Sequence, residues 1–503
     1  MDTLNAMLSG FEVALSWHNL MYCLIGVLIG NIVGVLPGLG PTATISLLLP
    51  FAFTLPPESS IIMMAGIYYG AMYGGSITST LLDLPGEAAS VVTTFDGYQM
   101  TKQGRAGIAL GIAAIGSFVA GTLAVIGLSF LAPGLANFAV KFGAPEYAVL
   151  TSLGILLVAY LGTKSFLKSA VCAAFGLLLA TIGQDPITGS VRLTFGSNHL
   201  LGGIDFAAMA MGVFGVGEIL YNLEHLSKGT LKQTKVGRVW PTVKDFAQAK
   251  WAIVRGSVIG FFVGILPGGG SIIATVASYG VEKKVSKTPE RFGKGAIEGV
   301  AGPESANNAA AGAAFIPLLT LGIPSDAVMA LIFGTLLLNG ITPGPQLIGE
   351  HPDLFWGVVS SMYIGNALLL LLNLPFVGLF IQLLRVRSSI LMAFAVVLTL
   401  IGVYSLGNDS FNMGVVLFFG VLGYLMRKAG FDPAPMVLAF VLGKILEGAF
   451  RQSLIMSNGD FAIFATRPLS GGLLGLTALG VLYAVASRLW KARRRSGGRE
   501  MKG

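Results

Sequence analysis

Glu304, Ser305, Asn307 and Asn308 fall within one short stretch, Ala301-Gly302-Pro303-Glu304-Ser305-Ala306-Asn307-Asn308, set between apolar segments. Carboxylate, hydroxyl and amide oxygens suit a hard cation such as Na⁺, and a lone carboxylate in apolar surroundings can carry a proton. Glu304 equally suits a helix cap after Pro303. Asp83, Glu87 and Asp326 are second candidates, in Asp83-Leu84-Pro85-Gly86-Glu87 and Ile323-Pro324-Ser325-Asp326. Carboxylates after a Pro break also serve as N-caps.

A different chemistry belongs to two Gly-rich runs, Gly34-Val35-Leu36-Pro37-Gly38-Leu39-Gly40 and Gly264-Ile265-Leu266-Pro267-Gly268-Gly269-Gly270. A helix that restarts after such a break points unpaired N–H groups and its positive dipole end at the break, where they hold carboxylates without a Lys or Arg. Thr42, Thr44 and Ser271 add hydroxyls. Pro37, Gly38, Gly40, Thr42, Thr44, Pro267, Gly268, Gly270 and Ser271 therefore form a candidate anion cradle, with hinge or close-packing glycine as the plain alternative. Tyr73 and Ser76, with Thr78 and Ser79, line a path or pack small residues between helices.

The elements that carry these residues lie in lipid. The chain has 503 residues, 54% of them hydrophobic and 11% charged, where a soluble protein carries roughly 25% charged residues. Continuous apolar runs, rather than alternating ones, argue against a β-barrel. The expected fold is an all-α polytopic membrane protein with about 10–13 membrane segments, some of them broken helices or re-entrant hairpins. The net charge of +8 sits in a few loops and the tail with little aromatic interleaving, which points to cytoplasmic loops and away from nucleic acid. Cys23 and Cys172 stand in apolar runs as small core residues. The N-terminus lacks the basic region of a cleavable signal peptide.

No basic residue precedes Lys102. The first loops are therefore placed outside, and Lys102 with Arg105 marks an inside loop. Further segments are expected at Ala106–Leu131, Tyr147–Leu161, Ser169–Ile182 and Phe206–Leu220, with Lys164 and Lys168 inside and 184–203 a polar outside loop. Gly30, Val33, Gly34, Leu36, Pro37, Gly38 and Gly40 match Gly260, Val263, Gly264, Leu266, Pro267, Gly268 and Gly270, and Pro85 with Glu87 matches Pro324 with Asp326. The halves are thus copies, and corresponding loops have opposite charge bias. The 53–60 connector has no basic residue, whereas 282–298 holds Lys283, Lys284, Lys287, Arg291 and Lys294. Inverted repeats follow, with a site where the breaks meet. The expected division is a first repeat at 1–225, a basic cytoplasmic linker at 226–250, an inverted repeat at 251–490 and a basic cytoplasmic tail at 491–503. The N-terminus is placed outside and the C-terminus inside.

Ser76 after two glycines raises intramembrane proteolysis, but that chemistry needs a base within reach. His18, His199, His225 and His351 all fall at span ends or loops, and no H-E-x-x-H is present. No enzyme is expected. A passive anion channel and a membrane scaffold are the remaining alternatives to a transporter.

The Gly-Val-Leu-Pro-Gly-Leu-Gly-Pro-Thr-Ala-Thr run at 34–44, Tyr-Gly-Gly-Ser-Ile-Thr-Ser at 73–79 and Gly-Pro-Glu-Ser-Ala-Asn-Asn-Ala-Ala at 302–310 together resemble the large membrane subunit of the tripartite tricarboxylate transporter family (TctA) over nearly the whole chain. The resemblance implies a secondary active transporter, a symporter of the bacterial inner membrane. It implies two partners, a small four-helix membrane subunit and a periplasmic solute-binding protein that delivers citrate or another carboxylate. The coupling ion would be Na⁺ or H⁺, with no other cofactor, and the chain has no nucleotide-binding G-x-x-x-x-G-K-[ST] run.

Overall fold

A computed structural model describes residues 3–36, 38–161, 165–185, 187–225, 236–383 and 388–478. Pro37, Lys164, residues 226–235 of the expected linker and the basic tail lie outside the described residues. So does 479–490, the end of the expected second repeat, although 468–478 is helical.

The first half opens with α1 (Thr3–Ala14), which the sequence reading did not anticipate, and α2 (Trp17–Val35). It continues through α3 (Pro41–Ala52), α4 (Pro57–Leu82), α5 (Val91–Lys102), α6 (Ala106–Ala139), α7 (Ala144–Leu161) and α8 (Phe166–Ala180). A two-stranded hairpin follows, β1 (Gly183–Gln184) with β2 (Val191–Arg192), inside the stretch expected as plain loop. Helix α9 (Phe206–Ala210) runs through a π-helical turn, Met211–Val216, into α10 (Gly217–His225).

The second half holds α11 (Val243–Ile265), α12 (Gly270–Val285), α13 (Glu298–Ala313), α14 (Phe315–Leu321), α15 (Ala327–Leu338) and α16 (Leu347–Glu350). Then come α17 (Pro352–Asn373), α18 (Val377–Leu383), α19 (Ser388–Gly407), α20 (Ser410–Lys428), α21 (Ala434–Met456) and α22 (Ile463–Thr466). Helix α11 begins at Val243 rather than Trp251. The reciprocal capping box of Thr242 and Asp245 starts it inside the polar stretch read as linker. The Glu304 stretch, expected as a polar stretch set between apolar segments, is the body of α13: its alanines favour helix and its polar groups find partners on neighbouring helices. Six helices among the described residues are long and apolar enough to cross a membrane, and four shorter apolar helices accompany them. The protein is an all-α polytopic membrane protein.

The two breaks have one geometry. The N–H of Leu36 donates to the Val33 carbonyl at 2.9 Å, and that of Leu266 to Val263 at 3.1 Å. Gly38 (φ +91°) and Gly268 (φ +75°) take the left-handed turn that L side chains resist. Helix α2 packs on α4 through Gly26, Gly30 and Gly34, where an added Cβ would overlap the carbonyl oxygens of Met63, Ile67 and Ala71. Helix α11 packs on α13 through Gly256, Gly260 and Gly264 against Gly302, Ala306 and Ala310. Both contacts therefore run parallel and in the same register, the close approach that small residues permit between helices in lipid. The corresponding helices α4 and α13 run antiparallel to each other. Ser76 meets Glu304 at one level, while the Tyr69 ring lies 6.0 Å from Phe315, further along α13 and into α14.

Basic loops gather on one face. Gln103 Nε2 donates to the Lys294 carbonyl at 2.7 Å, and Arg105 pairs with Asp245 at 3.1 Å. At the opposite ends of α6 and α7, Glu146 pairs with Arg467 at 2.9 Å.

Candidate functional site: a polar centre between the two copies

Helix α13 brings its polar residues against helices of the first half. Glu304 accepts from Ser76 of α4 at 2.5 Å and from Thr93 of α5. Asn308 Nδ2 donates to Ser117 of α6 at 2.7 Å and to the Glu304 carbonyl at 3.1 Å. Asn307 Nδ2 donates to Glu87 Oε1 at 3.1 Å. Ser305 Oγ, Asn307 Oδ1 and Asn308 Oδ1 are buried with no partner. Ser117 lies about 17 Å along α6 from Ala106, at 1.5 Å per residue, which sets this centre deep in the layer. Buried carboxylates at such depth need bonded partners, and that makes this cluster the candidate site. Among the described residues no Lys, Arg or His side chain is buried. Hydroxyls and amides therefore do all the satisfying of Glu304 and Glu87.

A related cluster forms around Asp326. Its Oδ2 accepts from Tyr68 of α4 at 2.9 Å, and Tyr68 also contacts Ser271 at the start of α12. Ser271 Oγ in turn reaches the Asn307 carbonyl at 3.5 Å. The two clusters are counterparts. Tyr68 and Asn307 occupy equivalent positions of α4 and α13, and Glu87 and Asp326 occupy equivalent positions after Pro85 and Pro324. Tyr68 of the first copy bonds Asp326 of the second, and Asn307 of the second bonds Glu87 of the first. Such exchange of partners is what a two-fold relation between repeats produces. Each carboxylate also caps its own helix: Glu87 accepts from Ala89 N–H at 2.7 Å, and Asp326 from Met329 N–H at 2.9 Å.

The residues expected to cradle an anion divide. At the first break the chain supplies its own carboxylate. The Gly40 N–H donates to Glu218 of α10, Asn222 donates to the Gly38 carbonyl, and Arg427 pairs with Glu218 at 3.0 Å. Thr44 turns its hydroxyl back to the Gly40 carbonyl at 2.9 Å, and Thr42 is half-buried. At the second break the α12 N-terminus has no side-chain cap. Gly268 N–H donates to the Ser325 carbonyl at 2.8 Å, tying the break to the Asp326 cluster, while Pro267 and Gly270 are half-buried beside it. Tyr73 donates to Asn366 Oδ1 at 2.7 Å, next to the Glu304 centre. Asp83 stands apart: it is exposed and ends α4 in the left-handed conformation (φ 59°), where the second copy has Gly322 (φ 68°).

Sequence reasoning did not single out Thr93, Ser117, Tyr68, Asn366 or Glu218 as site residues. Asn31 was also missed; it is fully buried on α2 with both amide atoms unpartnered. An amide inside an apolar run is the signal that would have found Asn31 and Asn366. Cys23 and Cys172 are buried free thiols.

A multi-pass helical protein with two matched helix breaks and a buried polar centre between helices of its two halves has the features of a membrane transport protein. Residues 20–438 match the tripartite tricarboxylate transporter TctA family, and the chain belongs to that family. It is 50% identical over 485 residues to an uncharacterized 52.8 kDa protein from the TAR-I ttuC' 3' region of Agrobacterium vitis, covering 96% of this chain and 97% of the relative. It is also 51% identical over 226 residues to a protein from the TAR-II ttuC' 3' region of the same organism, covering 45% of this chain and 93% of that relative. No solved structure matches it.

Proposed function

We propose that this chain is the translocating subunit of a binding-protein-dependent uptake system that imports tricarboxylates or related carboxylates across the inner membrane, driven by an ion gradient. The observation that carries this reading is the centre around Glu304, Glu87, Asn307 and Asn308, in which two buried carboxylates from different copies lie together with no buried basic side chain. A carboxylate substrate brought to such a centre needs cations to balance its charge, so its entry is tied to cation entry. The uncapped α12 N-terminus at Gly270–Ser271, beside Asp326 and Tyr68, offers N–H groups to the substrate. The first break holds Glu218 instead, which limits the cradle to the second. Glu304, Asn307, Asn308 and Ser305 serve the coupling ion, with Asp326 at the other end of the site. Tyr73 and Ser76 connect the two. The partners are a small membrane subunit and a periplasmic binding protein, as the tripartite family name leads one to expect.

Uptake of radiolabelled citrate and other carboxylates into vesicles that hold all three components, under imposed Na⁺ or H⁺ gradients, tests the proposal. Accumulation that collapses with the gradient is the expected result; gradient-independent equilibration would overturn it. Sidedness is tested with single cysteines at the exposed positions Thr54 and Lys287, after replacement of Cys23 and Cys172. An impermeant thiol reagent should reach Thr54→Cys from outside and Lys287→Cys only from inside.

A further inference from the structure

The polar centre borders a small cavity that has been given no occupant so far. It lies between α4, α6, the last residue of α17 and the first of α18; its polar lining is Tyr73, Ser76, Ser117 and Asn373, and the remaining wall is apolar. It leaves about 10 Å³ for the centre of a water-sized sphere, room for one small ion or one water and nothing larger. The bonds already made by the lining residues decide what suits it. Tyr73 gives its proton to Asn366 at 2.7 Å, and Ser76 gives its proton to Glu304 at 2.5 Å. Ser117 Oγ accepts from Asn308 at 2.7 Å. Asn373 spends an amide hydrogen on the Leu369 carbonyl at 2.9 Å, while its Oδ1 is buried without a partner, in a residue 4% exposed. With the Tyr73 and Ser76 protons committed and Asn373 Oδ1 unpartnered, these three residues offer oxygen lone pairs, and Ser117 adds another when its hydroxyl, which has no acceptor of its own, rotates its proton aside. A hard cation finds neutral oxygen ligands, and Glu304 stands one hydroxyl away, behind Ser76.

We propose that this cavity binds a single Na⁺-sized monovalent cation, held by Asn373 Oδ1, Ser117 Oγ and the Tyr73 and Ser76 hydroxyls, with Glu304 as its counter-charge. The proposal rests on the ion-driven reading above and adds a cation position beside the Glu304 centre, one hydroxyl away from its carboxylate. It also assigns a role to Asn373, a residue outside the conspicuous motifs.

The test is binding of radiolabelled Na⁺ to the full chain purified in detergent, which needs neither substrate nor partners. The wild-type chain should bind Na⁺ saturably. Asn373→Leu should raise the half-saturating concentration about tenfold or more through loss of one ligand oxygen. Asn373→Asp, which keeps the oxygen, should bind at least as well as wild type. Ser117→Ala is the second weakened variant, so that a folding failure in one leaves the other informative. Absence of saturable binding by the wild-type chain, or unchanged affinity in both Asn373→Leu and Ser117→Ala, overturns the cation site and leaves a water in the cavity. Carboxylate accumulation driven by protons alone would remove the Na⁺ site and leave the uptake function standing. Saturable Na⁺ binding with no accumulation under any gradient would do the reverse.

Discussion

Replacing Gly260 by Ala places a methyl group between α11 and α13 where there is no space for one. The new Cβ would lie 2.7 Å from Ala306 Cα and 2.8 Å from its carbonyl carbon, besides overlapping its oxygen. Ordinary carbon contacts need about 3.5 Å or more, so the helices must part by nearly 1 Å. Every obstructing atom is backbone, which no rotamer change can move aside. The expected cost is about 1–3 kcal/mol, the usual range for overpacking. Because α13 carries Glu304, Asn307 and Asn308, the same displacement moves the polar centre off its partners on α4, α5 and α6. Misplacement on that scale can cost about 100-fold in rate. Gly280→Ala on α12 is the matched control, since a Cβ there meets nothing within 4 Å. Thermal unfolding in detergent and initial uptake rates should both separate the two variants. If Gly260→Ala melts and transports like Gly280→Ala, the close-packing argument for both copies is wrong.

Other predictions follow from single contacts. Glu304→Gln keeps the shape but not the charge, so uptake should lose its gradient dependence at normal expression; Glu304→Ala should also destabilise by about 1–3 kcal/mol, because Ser76 and Thr93 lose their acceptor. Uptake by Glu304→Gln that still follows the gradient would exclude the residue from coupling. Asp96 accepts from the N–H groups of Gly293, Gly295 and Ala296 at 2.8–2.9 Å and from Tyr279 at 2.9 Å. Asp96→Ala should therefore expose the 286–297 connector to trypsin, with cleavage at Lys287, Arg291 or Lys294 as the readout. At the hairpin, the Thr188 N–H and the Arg451 guanidinium hold the Asp185 carboxyl well below the usual carboxylate range. A depressed value gives stability that is complete above the unfolded pKa of about 4 and fades as pH falls below it toward the folded value. Proteolysis of the 183–203 loop should thus be flat from neutral pH to about 5 and rise in stronger acid, a profile that Asp185→Asn should abolish.

The sequence made some of this plain and hid the rest for physical reasons. Pro and Gly in an apolar run interrupt a helix wherever they fall, so both breaks were visible, as was the doubling of the motifs. Residues 301–308 stood out as polar among apolar segments, but not as one continuous helix; a helix buried among other helices can carry polar groups whenever each finds a partner across the gap. Those partners are single hydroxyls, Thr93 and Ser117, distant in sequence and alone in apolar surroundings, with no local pattern to announce them. Glu218 was equally hidden. The sequence marks the first break as a place where helix N–H groups could meet an anion, but nothing local showed that an internal carboxylate from α10 lies there. The left-handed turn shared by Asp83 and Gly322 explains why Asp83 took part in the duplicated motif without joining the site: the backbone conformation was retained, and the side chain faces outward.

The exchanged pairs, Tyr68 with Asp326 and Asn307 with Glu87, have a consequence for the energetics of the transport cycle. Were the two copies identical, an inward-facing and an outward-facing arrangement would be mirror descriptions of one object, with equal free energies and equal populations. Every departure from identity is then a weight on one side of the balance. Tyrosine stands where asparagine stands, aspartate where glutamate stands, and one continuous helix, α4, answers the interrupted pair α13 and α14. In the transporter proposed above, the resting orientation is written in these few mismatches, and making the copies more alike should bring the two orientations toward equal occupancy.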